Sequence, residues 1–251
     1  MPRISITIIT RNEEEKIQRC LDSVIPFADE IVVVDSMSAD QTPSICRNSG
    51  CRVFERAFDG YGSQKQFAVD QARNDWVLSL DADEVLSDEL QKELLDFTLK
   101  KDIPVNGYEI PFSLFYMGRI LRHSGVGHEV HLRLFNKLKG RFTDSPVHEG
   151  IEIEGLAGKL TNRIIHYSYR DISHHLEKID IYTSQAAEGL ASKGKSYREF
   201  YVGFKFPMTF FTYYIFKGGI LDGYPGFIWS YMAAIYASMK IAKTIELNKK
   251  Q

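Results

Sequence analysis

The sequence predicts an α/β fold, a mostly parallel sheet with helices on both faces, followed by a helical segment of different character. Three observations predict it. First, the apolar runs Ile4-Ser5-Ile6-Thr7-Ile8-Ile9, Ile31-Val32-Val33-Val34 and Trp76-Val77-Leu78-Ser79-Leu80 are separated by helical patterns, as in parallel strands buried on both faces. Second, each run leads into an acid: Glu13, by way of Thr10-Arg11-Asn12, then Asp35, then Asp81-Ala82-Asp83-Glu84. Ligands of open α/β sheets lie beyond the carboxyl ends of the strands, so these acids should gather at one crevice. Third, from Phe200 onward the composition shifts towards Phe, Tyr, Ile and Met, which marks a separate tail.

The elements follow in order. Asn12 with Glu13, Glu14 and Glu15 reads as a helix start with acids in its first turn and Ile17, Leu21 and Val24 on one face. After Asp35 comes a small polar segment in which Pro43 sits near the start of a short helix that ends around Gly50. Arg52-Val53-Phe54 is a short strand. Gly60-Tyr61-Gly62-Ser63 opens a helix through Lys65, Phe67, Ala68 and Ala72, and Asn74-Asp75 turns the chain into the Trp76 strand. Ser87 caps a further helix, with Asp88 and Glu89 in its first turn and Leu90, Leu94 and Phe97 inward. Beyond Pro104 the alternation stops; residues 105–111, 131–135, 140–143 and 163–169 read as strands, and 171–190 as a helix that breaks at Ser192-Lys193-Gly194-Lys195.

Composition excludes several classes. A chain of 251 residues suits one domain, or one domain with an appendage. A net charge of −2 with 44% hydrophobic residues gives no electrostatic footprint for nucleic acid. Cys20, Cys46 and Cys51 show no CxxC spacing and read as reduced thiols packed as small hydrophobes. Met1-Pro2-Arg3 leads straight into a strand, with no secretory signal, so a cytoplasmic location is expected.

Side chains two apart on a strand point the same way, so Asp81 and Asp83 can share one cation. Carboxylates that cannot pair with one another hold cations, and a hard cation suits phosphate oxygens. The plain alternative is that these acids are helix caps and turn residues.

Thr10-Arg11-Asn12-Glu13, the segment from Asp35 to Thr42, Gly60-Tyr61-Gly62-Ser63-Gln64-Lys65-Gln66 and Leu80-Asp81-Ala82-Asp83-Glu84 together resemble the ordered motifs of family 2 inverting glycosyltransferases. Within that family the sequence is most similar to bacterial lipopolysaccharide core β-1,4-glucosyltransferases, through Gly60-Tyr61-Gly62, Val147-His148-Glu149 and the aromatic tail. The resemblance implies a GT-A type, Rossmann-like nucleotide-binding fold. It implies that Thr10, Asn12 and Glu13 line the nucleotide pocket, that Asp35 contacts the base or ribose, and that Asp81 faces the ribose or the metal. Asp83 would bind Mg2+ or Mn2+ bridging the donor's phosphates, and Lys65 with Gln64 would reach the diphosphate or nucleobase. On the residues alone, Arg133, in the apolar strand before Glu149, orients the Glu149 carboxylate or contacts donor phosphate. A solvated helix lysine is the plain reading of Lys65.

An inverting transfer needs a base on the face opposite the leaving group, and a carboxylate suits it. Glu149 matches the family's Val-His-Glu position, with Asp144 in reserve; the plain reading is a loop carboxylate paired to Arg133 or Arg141. The seven histidines show no closed zinc-site spacing with cysteine, and His174-His175 face opposite ways on a helix. His166 resembles a late histidine that completes the metal shell in some relatives, or is a structural strand histidine.

Residues 206–216 and 223–239 lack charge, and Phe227, Tyr231, Ile235 and Met239 recur at helical spacing. Neither run reaches the ~20 apolar residues of a spanning helix. Pro207, Gly218-Gly219 and Pro225-Gly226 divide the runs, and Lys240, Lys243, Lys249 and Lys250 follow. This reads as a pair of interfacial helices on anionic lipid, or as a hairpin that caps the core or forms a dimer interface.

The expectation is a transferase domain over residues 1–195, with a donor half 1–104 and an acceptor half 105–195, and a membrane-associating tail over 196–251. Its partners would be a nucleotide-diphosphate sugar, UDP-glucose by resemblance, a lipid-linked glycan acceptor of the lipopolysaccharide inner core, and the inner leaflet on the cytoplasmic face of the inner membrane. The rivals are a polyprenyl-phosphate sugar synthase and a non-catalytic nucleotide-sugar-binding module.

Overall fold

The computed structural model describes residues 1–127, 129–143 and 150–250, which form two compact units, Met1–Phe112 with Glu129–His166 and Ser113–His128 with Tyr167–Gln251. In chain order the first unit begins β1 (Ile4–Thr10), α1 (Ile17–Val24), β2 (Glu30–Asp35), α2 (Thr42–Asn48), β3 (Arg52–Glu55), α3 (Tyr61–Gln71), β4 (Trp76–Asp81), β5 (Glu84–Leu86) and α4 (Asp88–Thr98). It continues with β6 (Gly107–Tyr116), whose end lies with β7 (Arg119–Ile120) in the second unit, then β8 (Val130–Asn136), β9 (Gly140–Phe142), β10 (Ile151–Ile153), β11 (Ala157–Lys159) and β12 (Ile164–His166).

The expected α/β fold is present. Strand order is β3-β2-β1-β4-β8-β6-β12-β5, parallel from β3 to β4, with β11 parallel to β6. Antiparallel strands follow at β8 and β6 and in the β5–β12 pair, which the loss of strand–helix alternation after Pro104 foreshadows. Alternating side chains put Ile4, Ile6, Ile8, Leu78 and Leu80 against Leu21 and Val24 of α1 and Leu90, Leu94 and Phe97 of α4. Val77 points the other way, with Val69 of α3, Ala72 just after it, and Phe135 and Phe142. Helices therefore cover both faces. Trp76 packs edge-on to Phe97 with centroids 5.0 Å apart. The three cysteines are free and buried, and burial pushes the Cys46 and Cys51 thiols up to about 12 and 11, so they stay protonated.

The helix expected from Asn12 begins only at Ile17. Residues 14–16 form a turn in which Lys16 N donates to Glu13 O at 2.9 Å, and the chain before it is tied to the next loop, Glu13 N donating to Thr42 Oγ1 at 2.9 Å and Glu14 N to Asp40 Oδ2 at 3.2 Å. Ser87 caps α4 as expected, accepting from Leu90 N.

The second unit holds the β6–β7 hairpin, α5 (Ile172–Ser192), α6 (Phe200–Phe211), a π turn at Thr212–Phe216, a 3-10 turn at Gly219–Asp222 and α7 (Gly223–Lys250). Asp171 caps α5 by accepting from His174 N. Pro207 does not break the tail; it sits inside α6, with Gly203 one turn back, and the chain turns later, at Gly218, where φ is +71°, and Gly223, where φ is +66°. Among the described residues no helix is long and apolar enough to cross a membrane.

Candidate active site

The sheet register assembles the crevice. Thr10 pairs with Asp35 across β1–β2, and Ile9 with Asp81 across β1–β4, so the three strands end side by side. Asp35 is buried and accepts from Ser38 N at 2.7 Å and Ser38 Oγ at 2.6 Å, which fixes the turn after β2. Asn12, at φ +54°, donates its amide to Ser38 Oγ and accepts from Ala39 N at 2.9 Å, so the loops after β1 and β2 are laced together. The Thr10 hydroxyl is buried without a hydrogen-bond partner among the described residues, at the strand end where a ligand would lie.

Gly60, at φ +134°, launches α3 and brings Gln64 and Lys65 inside. Gln64 Oε1 accepts from Arg56 Nη1 at 2.8 Å, and its amide donates to Ser36 Oγ at 3.1 Å. Lys65 Nζ lies 3.0 Å from Asp81 Oδ1, and Arg133 Nη2 on β8 lies 3.5 Å from Asp81 Oδ2. Burial opposes ionisation of Asp81, but Lys65 and Arg133 hold its carboxyl well below the usual carboxylate range.

Glu84 is 1% exposed. It accepts Arg133 Nη2 at 2.6 Å and the Asp81 backbone N–H at 2.9 Å. Burial pushes its carboxyl up to about 7; Arg133 pulls the other way, and the Asp81 charge adds to the rise. Asp83 Oδ1 lies 3.3 Å from His166 Nε2, and Asp83 Oδ2 lies 3.9 Å from Lys16 Nζ, which also reaches Glu13 at 3.0 Å. Burial works against both charges, yet the mutual contact lowers Asp83 and raises His166.

Among the described residues no three His, Cys, Asp or Glu side chains form a metal cage. Mg2+ and Mn2+ do not require one, since they are bound through one or two protein carboxylates with water and substrate phosphate completing the shell. Asp83, 16% exposed at its side chain, with the His166 imidazole beside it, offers that kind of partial donor set. Both Asp81 oxygens face cations, so the Asp83 side of the crevice is the better fit to such an ion.

The structure thus brings together Thr10, Asn12, Glu13, Asp35, Gln64, Lys65, Asp81, Asp83 and Arg133 in the first unit. Glu149 and Asp144 lie outside the described residues. Sequence reasoning missed Glu84 and Lys16 as participants. Glu84 carried a signal: a carboxylate opening an apolar strand, Val85-Leu86, opposite His166 in the β5–β12 register.

Residues 5–151 match glycosyl transferase family 2, and the chain belongs to that family. It is a glycosyltransferase. It is 32% identical over 260 residues to an uncharacterized glycosyltransferase of Rickettsia typhi, covering 100% of this chain and 89% of that one. It is also 32% identical over 247 residues to the lipopolysaccharide core biosynthesis glycosyltransferase LpsC of Rhizobium meliloti, covering 96% and 91%. Among solved structures, Mycobacterium tuberculosis glucosyl-3-phosphoglycerate synthase in complex with Mn2+, UDP and glucosyl-3-phosphoglycerate is similar over 47% of this chain and 45% of its own. That likeness, at 26% identity and a TM-score of 0.36, is too slight to carry argument.

Proposed function

We propose that this glycosyltransferase is metal-dependent and inverting, and moves glucose from UDP-glucose onto a lipid-linked saccharide of the lipopolysaccharide inner core. The observation that carries the reading is the crevice in which Thr10, Asp35 and Asp81 meet by strand register with Asp83 and His166 beside them. The likeness to LpsC supports the core acceptor. Asp35 contacts the base or ribose, Thr10, Asn12 and Glu13 line the pocket, and Lys65, Gln64 and Arg133 face the diphosphate. Glu149 takes the proton from the acceptor hydroxyl as it attacks the anomeric carbon, and the nucleoside diphosphate departs from the opposite face. Asp83, with Asp81 or His166, would hold Mg2+ or Mn2+, which would supply charge neutralisation for that leaving group.

In this reading residues 1–195 carry the transfer and 196–251 hold the enzyme on the cytoplasmic face of the inner membrane. Support for the tail comes from exposed Phe200, Phe204, Phe211 and Phe216, the last 83% exposed, in a region with no spanning helix among the described residues. Calorimetry with UDP-glucose, with and without Mn2+, on wild type and Asp83→Ala tests the donor site. Mn2+-dependent binding that Asp83→Ala loses is expected. Undiminished binding by that variant would remove the metal assignment, and no binding by folded wild type would remove UDP-glucose as donor.

A further inference from the structure

The second unit contains a cavity lined by none of the residues assigned to the donor crevice. It lies among α5, α6 and α7 and has a volume of about 580 Å3, within the ~300–1,000 Å3 of sites that hold organic ligands. Its walls are largely apolar, with Ile179 from α5, Met208 from α6, and Trp229 and Met232 from α7. Lys178, Lys205 and Lys240 also line it, and no carboxylate does so among the described residues. Lys178 is tethered, donating to the Ser168 carbonyl at 2.9 Å, and Lys240 lies 5.5 Å from the centre of the Tyr236 ring. The Trp229 indole N–H is buried with no acceptor among the described residues, a donor left unspent in the wall. His175, the other titratable group facing this space apart from tyrosines, is kept neutral at physiological pH by burial, so the positive charge here belongs to the lysines. Outside, the same helix α6 carries exposed Phe204 and Phe211.

A mostly apolar cavity whose charged lining is cationic, with no anion among the described residues, rejects metal ions. It suits an amphiphile with an anionic head. The geometry points to a binding site for one anionic phospholipid, its acyl chain among Ile179, Trp229 and Met232 and its phosphate on Lys205 and Lys240. The site rests on the membrane-facing reading of the tail for the source of its lipid, and is independent of the transfer chemistry.

Trp229 reports on its own cavity, because the only other tryptophan, Trp76, is buried in the core of the first unit. The full chain is titrated with brominated lysophosphatidylglycerol below its critical micelle concentration while tryptophan emission is followed. Saturable quenching is expected, absent in Trp229→Phe and shifted about tenfold or more to higher concentration in Lys205→Glu/Lys240→Glu and with the phosphatidylcholine analogue. Ala233→Phe, which fills the cavity, should also remove it while near-ultraviolet circular dichroism stays native-like. Quenching indifferent to headgroup and to both lysines would overturn the site, as would competition by inorganic phosphate alone at equal concentration. Co-sedimentation with phosphatidylglycerol vesicles is read separately. Vesicle binding without Trp229 quenching overturns the cavity, whereas quenching without vesicle binding keeps it and overturns membrane attachment of the tail. A lipid-free dimer that Ala233→Phe dissociates would make the cavity a self-interface and end the proposal.

Discussion

The two units place their chemistry in opposite ways. At the strand-end crevice of the first, Lys65, Arg133, Lys16 and His166 each face a carboxylate, and the charged side chains are largely withdrawn from solvent. In the second, large apolar side chains such as Phe204, Phe211 and Phe216 stand in solvent. A buried polar network is tolerated only when its members are paired, so removing one partner there leaves another stranded. An exposed ring has no such dependants. The difference teaches that the paired crevice of the first unit should answer substitution with loss of fold and turnover together, and the exposed rings of the second with loss of attachment alone.

The sharpest break of that comparison is at Glu149. If it is the base, Glu149→Gln should lower kcat by about 10²–10⁴ while calorimetric affinity for UDP-glucose stays unchanged. Transfer that survives would favour a polyprenyl-phosphate acceptor, already an anion and in no need of a base. Next comes Glu84. Its removal leaves Arg133 buried without its 2.6 Å partner and frees the Asp81 amide. Glu84→Ala should cost about 3–5 kcal/mol of unfolding free energy in a denaturant titration. Glu84→Gln, which still accepts that amide, should cost less; equal losses would show that the charge alone matters.

Legibility in the sequence followed the range of the forces involved. The strands ending in Thr10, Asp35 and Asp81 were readable because punctuation and β-branched runs are local, as was the Ser87 cap. The bonds that tie the chain before α1 to its neighbour were not, because their acceptors, Thr42 and Asp40, lie on another loop. The same holds for Glu84, whose role exists only once β8 carries Arg133 across the sheet, and for Pro207, which a helix absorbs when Gly203 stands one turn earlier. Motif spacing picked out residues that the fold brings to one crevice, while pairwise geometry determined which carboxylate faces which cation.

Two histidines sharpen the comparison with smaller effects of opposite sign. His166 is raised above 6.5: burial lowers it, but the Asp83 hydrogen bond and charge overcome that. Its stabilisation is therefore full below pH 6.5 and is lost as pH rises through the folded value, while that of Asp83, lowered from 3.8, is lost as pH falls through its own. His175 is depressed to about 4 by burial first, then by Lys178 and His174. It contributes stability above pH 6.5 that declines as pH falls towards about 4, where the folded protein resists the proton the unfolded chain accepts. The full swing is worth roughly 3 kcal/mol. Thermal unfolding in metal-free buffer between pH 4.5 and 8 should show His175→Phe flattening the acid side and His166→Gln flattening the alkaline side. Interchanged effects would mean that the two environments have been assigned the wrong way round.

The smallest effect on stability is expected where the sequence places its most conspicuous residue. Phe216 is 83% exposed at the end of the π turn, so folding already leaves most of its ring in water. Phe216→Ser therefore removes little buried area and should change unfolding free energy by under about 0.5 kcal/mol. The same ring laid into a lipid interface would bury on the order of 150–250 Å2, and its loss should weaken co-sedimentation with phosphatidylglycerol vesicles severalfold. A large stability loss would mean that Phe216 packs against protein in solution, most simply a second copy of the chain, and the contrast between a paired crevice and an unpaired tail would then have to be redrawn around an oligomer.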